Sequence, residues 1–192
     1  MKVWDQSAQL EKVYLHPAQH AGYYPGSSSI SLKLIFSKGD GRIISAQAVG
    51  GKGVEKRIDV ISMAIQKNAT VFDLEEAELC YAPQFGSAKD PVNIAGMVAA
   101  NVLRNDVQLS HWEDLGKEKI MLLDVRDPSE YKEGHIGGAV NIPLNDLRKR
   151  MGEIPKDREV WAHCLEGQRS YYAARVLSQY GYEIKNLSGG YK

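Results

Sequence analysis

Apolar and polar residues alternate in two short runs in the first quarter of the chain. Residues 30–36 read ISLKLIF and residues 42–49 read RIISAQAV, and both runs are rich in residues that favour strands. The segment 38–41 between them reads KGDG, which has the composition of a turn. Two alternating runs around an Asp-Gly turn predict an antiparallel β-hairpin.

Helical periodicity follows the hairpin. Asp73, with Glu76 three residues later, predicts the N-cap of a short helix. Asp90 precedes a proline and an apolar run, which predicts a capped helix over residues 91–104. Residues 54–67 predict an amphipathic helix, since a single face carries Val54, Ile58, Ile61 and Ile65.

The pattern changes near residue 106. Residues 120–125 read IMLLDV, a continuous apolar run that is typical of a buried parallel strand. Further strand-like runs alternate with helical ones, which favours an α/β layer architecture. We therefore expect an α+β domain with an antiparallel sheet and helices over residues 1–105, and an α/β domain with a parallel central sheet over residues 106–192. The runs in question are 139–142, 144–151, 159–162, 169–180 and 182–187.

Composition adds mainly exclusions. The 192 residues include 24 Lys and Arg and 24 Asp and Glu, so the formal net charge is zero and no basic excess points to nucleic acid or to a membrane surface. No apolar run has the length of a membrane span, and the N-terminus lacks a signal-peptide pattern. The two cysteines, Cys80 and Cys164, are far apart, which predicts neither a disulfide framework nor a metal site. We expect a reducing, cytoplasmic setting.

Cys164 is the candidate nucleophile. It follows a short apolar run and precedes a helical segment, so it is expected in a strand-to-helix loop whose N–H groups and helix dipole favour a thiolate. A glycine suits close backbone approach, and an arginine can bind an anion or tie the loop to a carboxylate. The alternative is an inert, buried cysteine. The remaining candidate loop residues are Leu165, Glu166, Gly167, Gln168, Arg169 and Ser170.

Several motifs of the second half resemble the rhodanese homology domain. They are DVRDPSEYKEGHIGGAVNIP at 124–143, the Cys164 loop, and LSGG at 187–190, in the family's order. The resemblance implies that Cys164 takes a sulfane sulfur from a donor, forms a persulfide and passes the sulfur to a thiol. Asp124 and Arg126, at the end of a strand, are expected to support the site by tying loops together through charge-assisted hydrogen bonds. His135, which precedes a turn, is expected to be structural, with a catalytic role as the alternative, and no metal is expected.

Two other functions compete with sulfur transfer. Only four residues separate Cys164 from Arg169, whereas the related dual-specificity phosphatases have a loop one residue longer that makes room for phosphate. Some rhodanese-like domains act only as interaction or regulatory modules, although those usually lose the cysteine. The acidic Glu166 should disfavour a dianionic donor such as thiosulfate, so we expect a small-molecule or protein persulfide as donor.

The first half resembles the dimerisation domain of flavin-dependent pyridine nucleotide-disulfide oxidoreductases, in the coenzyme A-disulfide reductase branch. The matching stretches are KVYLHP at 12–17, HAGYYPG at 20–26 and YAPQFGSAKDPVN at 81–93. The family's FAD and NAD(P)H domains should precede such a segment, so no cofactor is expected in this chain. The run 50–53, GGKG, lacks the dinucleotide spacing and is interpreted as a turn. The chain is interpreted as part of a longer enzyme, with a naturally short paralogue as the alternative.

The resemblance also implies a homodimer in which tyrosines reach a coenzyme A-disulfide site of the partner subunit. Tyr23 and Tyr81 match best, with Tyr24 and Phe85 as alternatives, and each has packing as its other interpretation. Cys80 is predicted to be a small buried residue and not a second redox centre. Lys89 could meet a coenzyme phosphate or be solvated.

Overall fold

The computed structural model describes residues 9–116 and 119–192. The chain divides into two units, Met1–Arg104 and Asn105–Lys192, each with its own sheet. Within the described part, no helix is both long enough and apolar enough to span a membrane.

The sheet of the first unit has three antiparallel strands in the order β1-β2-β3. Strands β2 (Ile30–Ser37) and β3 (Ile43–Gly50) confirm the predicted hairpin, and Gly41 takes the positive φ of 73° that the turn requires. Strand β1 (Leu10–Leu15), which the sequence analysis did not predict, pairs with the other edge of β2. The buried face of β2 consists of Ile30, Leu32, Leu34 and Phe36.

Two long helices follow this sheet. Helix α1 (Val54–Gln66) and helix α3 (Pro91–Leu103) confirm the predicted segments, and Asp90 caps α3 as expected by accepting a hydrogen bond from the N–H of Val92. Helix α3 packs closely on the backbone of a short helix, α2 (Val71–Glu75). Gly96 permits this approach, since a Cβ there would lie 2.3 Å from the nitrogen of Glu75.

The predicted cap of α2 was wrong. Thr70, and not Asp73, is the N-cap, because its side chain accepts from the N–H of Asp73 while the Asp73 carboxylate accepts from the N–H of Thr70. In this capping box, Thr70 is the N-cap and Asp73 is the third residue of the helix.

The second unit is built on a five-stranded sheet with the order β4-β8-β7-β5-β6, in which all pairs are parallel. This arrangement confirms the predicted α/β class with a parallel central sheet. The strands are β4 (Gln108–Ser110), β5 (Met121–Asp124), β6 (Val140–Asn141), β7 (Val160–His163) and β8 (Ile184–Leu187).

Three helices and two 3₁₀ turns connect these strands. Helices α5 (Leu147–Arg150) and α6 (Gln168–Gln179) fall in predicted segments, whereas α4 (Pro128–Glu133) was not predicted. The 3₁₀ turns are Trp112–Asp114 and Met151–Glu153. Because β5, β6 and β7 run parallel, their carboxyl ends meet at one edge of the sheet, where ligands of such folds bind.

Candidate active site

Cys164 lies directly after β7, at this carboxyl edge. Its side chain is buried, with 2 % exposed. The thiol sulfur accepts a hydrogen bond from the N–H of Gly167 at 3.1 Å, and the Ser170 hydroxyl lies 3.5 Å from it. A donor aimed at sulfur favours negative charge on it.

The backbone of the loop is fixed at Gly167. This residue has a φ of 94° and is the N-cap of α6, so Cys164 faces the positive end of the helix dipole. The carbonyl of Gly167 accepts from the Asn186 amide at 3.2 Å, and it also lies 3.1 Å from the Ser170 hydroxyl. Asn186, which sequence reasoning missed, connects the loop to β8.

Arg169 binds a carboxylate on α4 and also interacts electrostatically with Cys164. Its guanidinium donates two hydrogen bonds to Glu130 on α4, at 2.6 and 2.7 Å, and lies 3.8 Å from Asp127. The pairing lowers the pKa of Glu130 to about 2, chiefly through the Arg169 hydrogen bond. It also raises the pKa of Arg169 above its ordinary value. Glu130 was missed as a site residue, although it lies within the quoted motif.

Asp124 and Arg126 form a buried ion pair at the end of β5. The guanidinium donates to the carboxylate at 2.7 to 3.1 Å and also to the carbonyl of Gly134 at 2.7 Å. Asn141 donates to the backbone carbonyls of both residues of the pair, each at 2.9 Å. These contacts connect the loop after β5 to the residues that follow α4.

His163 lies immediately before Cys164 and is fully buried. Its Nε2 is 3.7 Å from the Asp124 carboxylate. Burial lowers the pKa of His163, and this effect outweighs the opposing attraction of Asp124, so the ring is neutral near pH 7. Sequence reasoning gave this histidine no role.

His135 stands apart from these groups. It is exposed, stacks on Tyr131 at 3.9 Å between ring centroids, and its Nδ1 lies 2.9 Å from the Tyr131 carbonyl. The contacts around His135 place it at the end of α4, outside the immediate surroundings of Cys164.

The segment after β8 covers one side of the loop. The N–H of Tyr191 donates to the Cys164 carbonyl at 2.8 Å, and the N–H of Lys192 donates to the Leu165 carbonyl at 3.0 Å. A Cβ on Gly190 would lie 2.6 Å from the Leu165 carbonyl oxygen, so only glycine allows this approach. The Tyr191 ring lies over the Arg126 guanidinium at 4.3 Å.

Glu166, at the rim of the loop, is paired. Its carboxylate accepts a hydrogen bond from the Lys192 ammonium at 2.7 Å, and both side chains are about 40 % exposed. The negative charge at the rim is therefore offset, which weakens the expectation that Glu166 alone repels anionic donors. Leu165 and Gln168 are exposed beside it.

In the first unit, the fold brings Tyr23 and Tyr81 together. Their hydroxyl oxygens are 2.7 Å apart, and the side chains are 77 % and 50 % exposed. The hydrogen bond raises the pKa of Tyr81. Tyr24 and Phe85 are also exposed, so this surface has an unusual number of uncovered rings.

The prediction for Cys80 was wrong, because this residue is exposed and not buried. It lies in the irregular segment between α2 and α3. Lys89 is exposed in the same segment.

Arg57 holds the two tyrosine-bearing segments together. It is 2 % exposed, and its guanidinium donates to the Asp90 carboxylate at 2.7 and 3.2 Å. It also donates to the backbone carbonyls of Gln19 and Phe85, which belong to the segments that carry Tyr23 and Tyr81. Sequence reasoning missed this residue, although Arg57 lies four positions before the buried Ile61 on the same helix face.

The run 50–53 does not fit a dinucleotide phosphate. It follows an antiparallel strand, and the open side of Gly53 is filled, since a Cβ there would lie 2.5 Å from the Arg57 guanidinium. Among the described residues, no three His, Cys, Asp or Glu side chains are grouped closely enough to hold a metal ion.

Comparison with known families assigns both halves. Residues 4–91 match the pyridine nucleotide-disulphide oxidoreductase dimerisation domain, and residues 108–192 match the rhodanese-like domain. Among curated relatives, a coenzyme A disulfide reductase of Staphylococcus epidermidis is 47 % identical over 89 residues, which are 46 % of this chain and 20 % of that protein.

Two solved structures resemble nearly the whole chain. Reduced CoADR-RHD of Bacillus anthracis is 45 % identical with a TM-score of 0.93, over 96 % of this chain and 34 % of that one. An NAD-dependent persulfide reductase from A. fulgidus is 38 % identical with a TM-score of 0.86, over 95 % and 33 %. The chain spans about a third of these structures. The chain therefore matches a pyridine nucleotide-disulphide oxidoreductase dimerisation domain over residues 4–91 and a rhodanese-like domain over residues 108–192, and its relatives include coenzyme A disulfide reductases and a persulfide reductase.

Proposed function

We propose that the rhodanese-like domain is a sulfurtransferase in which Cys164 carries the sulfur. The Cys164 thiolate attacks the outer sulfur of a persulfide, R–S–SH. A new sulfur–sulfur bond forms on Cys164, the bond in the donor breaks, and the donor leaves as the thiolate R–S⁻. An acceptor thiolate then attacks the outer sulfur of the Cys164 persulfide and regenerates the Cys164 thiolate. Neither step needs an external oxidant or reductant.

The observation that carries this proposal is the environment of the Cys164 sulfur. The Gly167 N–H donates to the sulfur at 3.1 Å and is placed to stabilise negative charge on it, while the single hydrogen of the Ser170 hydroxyl has two acceptors, the sulfur at 3.5 Å and the Gly167 carbonyl at 3.1 Å. The loop that holds them is tied to α4 through Arg169 and to the closing segment through the carbonyls of Cys164 and Leu165. A purely structural cysteine would not require this set of donors.

Mass spectrometry after treatment with a small persulfide tests the proposal. We expect an adduct of about 32 Da, the mass of one sulfur atom, on the Cys164 peptide, and its loss on addition of a thiol acceptor. Cys164→Ser should abolish the adduct. Cys80→Ser is the matched control, because Cys80 is the other free cysteine and is exposed; the Cys164 adduct should persist there. A folded protein that forms no adduct on Cys164 would instead support an interaction module.

The length of the Cys164 loop favours sulfur over phosphate chemistry. Only four residues separate Cys164 from Arg169, and the Arg169 guanidinium holds the loop to α4 through two hydrogen bonds to Glu130. The donor is proposed to be an organic persulfide. Since Lys192 offsets Glu166, the preference against thiosulfate should grow in Lys192→Gln, as judged by kcat/KM for both donors.

We also propose that the chain acts within a larger, homodimeric flavoenzyme that uses NAD(P)H. The run 50–53 does not fit a dinucleotide. The flavin and the nicotinamide would bind to other parts of that enzyme. The exposed hydroxyl pair of Tyr23 and Tyr81 would face a coenzyme A disulfide or persulfide in the partner subunit, where phenols can donate to a thiolate. A reducing cytoplasm is the proposed setting, since Cys164 must be a free thiol.

A further inference from the structure

A groove separates helices α5 and α6 of the rhodanese-like domain. Its volume is about 440 Å³. Leu144, Leu147 and Val176 supply aliphatic lining, and Tyr172 adds an aromatic ring that is 47 % exposed. A cavity of this size with mixed aliphatic and aromatic walls matches the ordinary dimensions of small-molecule sites.

The groove carries positive charge. Arg148 of α5 and Arg175 of α6 line it. Arg175 is held by Asp106, whereas Arg148 forms no ion pair with any described residue and is exposed. The groove therefore offers one unpaired guanidinium to an anionic group, beside an aromatic ring.

The groove begins one helical turn beyond the Cys164 loop, along α6. Gln168, Tyr172 and Val176 follow one another at four-residue spacing, so they lie along one side of α6. The Gln168 amide donates to the Tyr172 hydroxyl at 3.1 Å, which joins the loop to the groove. Tyr172 is five residues after Gly167, about 7.5 Å along a helix axis. Leu144 lies just after β6, at the same carboxyl edge of the sheet as Cys164.

We propose that this groove binds the anionic tail of the low-molecular-weight thiol or persulfide whose sulfur reacts with Cys164. The tail would place a carboxylate or phosphate on Arg148 and its organic part against Tyr172 and the aliphatic wall. Thiosulfate has no organic part that could pack against Tyr172 and the aliphatic wall. The groove therefore selects organic anionic persulfides, and this inference rests on the proposed sulfurtransferase function.

A change of donor preference tests the groove. We compare glutathione persulfide, which is anionic, with the persulfide of 2-mercaptoethanol, which has no charged tail. In Arg148→Glu, the ratio of kcat/KM for the anionic donor to that for the neutral donor should fall about fivefold, as expected for losing one partly exposed charge contact. The matched control is Lys149→Glu, which makes the same charge change on the neighbouring residue, outside the groove lining. Its ratio should stay within about twofold.

A binding measurement separates this inference from the sulfurtransferase proposal. Reduced glutathione is titrated into isotope-labelled Cys164→Ser protein, and NMR shifts of Tyr172 and Val176 are followed. Saturable shifts that weaken in Arg148→Glu support the groove even where no persulfide forms on Cys164. Equal effects of Arg148→Glu and Lys149→Glu, or the absence of shifts along the groove, would overturn it. Sulfur transfer with an unchanged donor ratio would overturn the groove while leaving the sulfurtransferase intact.

Discussion

Each domain holds a candidate functional segment in place with an arginine, but the two arginines have different surroundings. Arg57 is 2 % exposed and contacts Asp90 together with backbone carbonyls of three segments. The Arg169 side chain is 33 % exposed and contacts mainly Glu130. The first arrangement should be the more costly to break, because its loss deprives a buried charge of its short ion pair. The second is partly exposed to solvent, so breaking it should cost less.

The largest expected effect comes from breaking the buried arrangement. Arg57→Met removes the short ion pair of the buried Asp90 carboxylate and leaves only Lys56 at 4.0 Å, so we expect a loss of about 3–5 kcal/mol in the free energy of unfolding, measured by urea denaturation. Lys56→Met is the matched control. Its ammonium is 4.0 Å from the same carboxylate but the side chain is 37 % exposed, so the loss should be below about 1 kcal/mol. Similar losses in both variants would show that Arg57 has no special organising role.

The second effect concerns the closing segment of the rhodanese-like domain. Gly190 has a φ of 70°, and a Cβ there would collide with the backbone of Leu165 and Cys164. Gly190→Ala should cost about 2 kcal/mol and slow persulfide formation on Cys164. In Gly137→Ala, where nothing lies within 4 Å, both quantities should stay close to those of the unmodified protein. An unchanged rate of persulfide formation in Gly190→Ala would show that the segment after β8 does not contribute to the reaction of Cys164.

Breaking the partly exposed pair of Glu130 and Arg169 should have a smaller effect on the free energy of unfolding, and this effect should depend on pH. Folding lowers the pKa of Glu130 from 4.5 to about 2, so its pairing stabilises the protein fully above about pH 4.5. This contribution is lost as the pH falls from about 4.5 through about 2. Glu130→Gln should therefore cost about 1 kcal/mol near pH 7, a value discounted for partial exposure, and less as the pH falls.

Denaturation curves over this pH range provide the measurement. Glu153→Gln is the control, since Glu153 pairs with Arg150 on the surface. The pKa of the Glu153 carboxyl is also lowered. The cost of Glu153→Gln should therefore also decrease towards acid pH, and it should be smaller than the cost of Glu130→Gln. A cost for Glu130→Gln that increases towards acid would contradict the assigned pairing.

The smallest expected effect concerns the hydrogen bond between Tyr23 and Tyr81. The hydrogen bond with Tyr23 raises the pKa of Tyr81, so Tyr23→Phe should return that pKa towards its ordinary value and leave the stability unchanged. NMR of carbon-labelled tyrosine rings follows the titration. Tyr180→Phe, an exposed tyrosine of the other domain, should leave the Tyr81 titration unaltered. An unchanged Tyr81 pKa in Tyr23→Phe would mean that the two hydroxyls are not paired in solution.

Most of the secondary structure could be predicted from local sequence patterns. The hairpin, α1, α3 and β5 were predictable, because alternation, 3.6-residue periodicity, a continuous apolar run and an Asp-Pro cap are properties of neighbouring residues. Helix α4 was missed because it is short and has no apolar stripe. The cap of α2 was misplaced because Asp73 suits both the first and the third position of a capping box.

Contacts between residues that are far apart in the sequence were harder to predict. The motif quoted for the rhodanese resemblance contains Glu130, but nothing in its spacing says that a residue 39 positions before Arg169 is its partner. Arg57 contacts segments 38 residues before it and 33 residues after it. The burial of Arg57 could have been suspected from its place on the apolar face of α1. The meeting of Tyr23 and Tyr81 was suggested by family resemblance, and the fold places them in contact.

The hydrogen bonds from Tyr191 and Lys192 to the Cys164 loop also bear on the order of events during synthesis. These partners lie 27 residues apart along the chain and emerge from the ribosome one after the other. The loop can reach its final geometry only after β8 has joined the sheet beside β7. The surroundings of the Cys164 sulfur are therefore completed late, and a nascent chain that stops before Gly190 would lack the hydrogen bonds that the closing segment makes to the Cys164 loop.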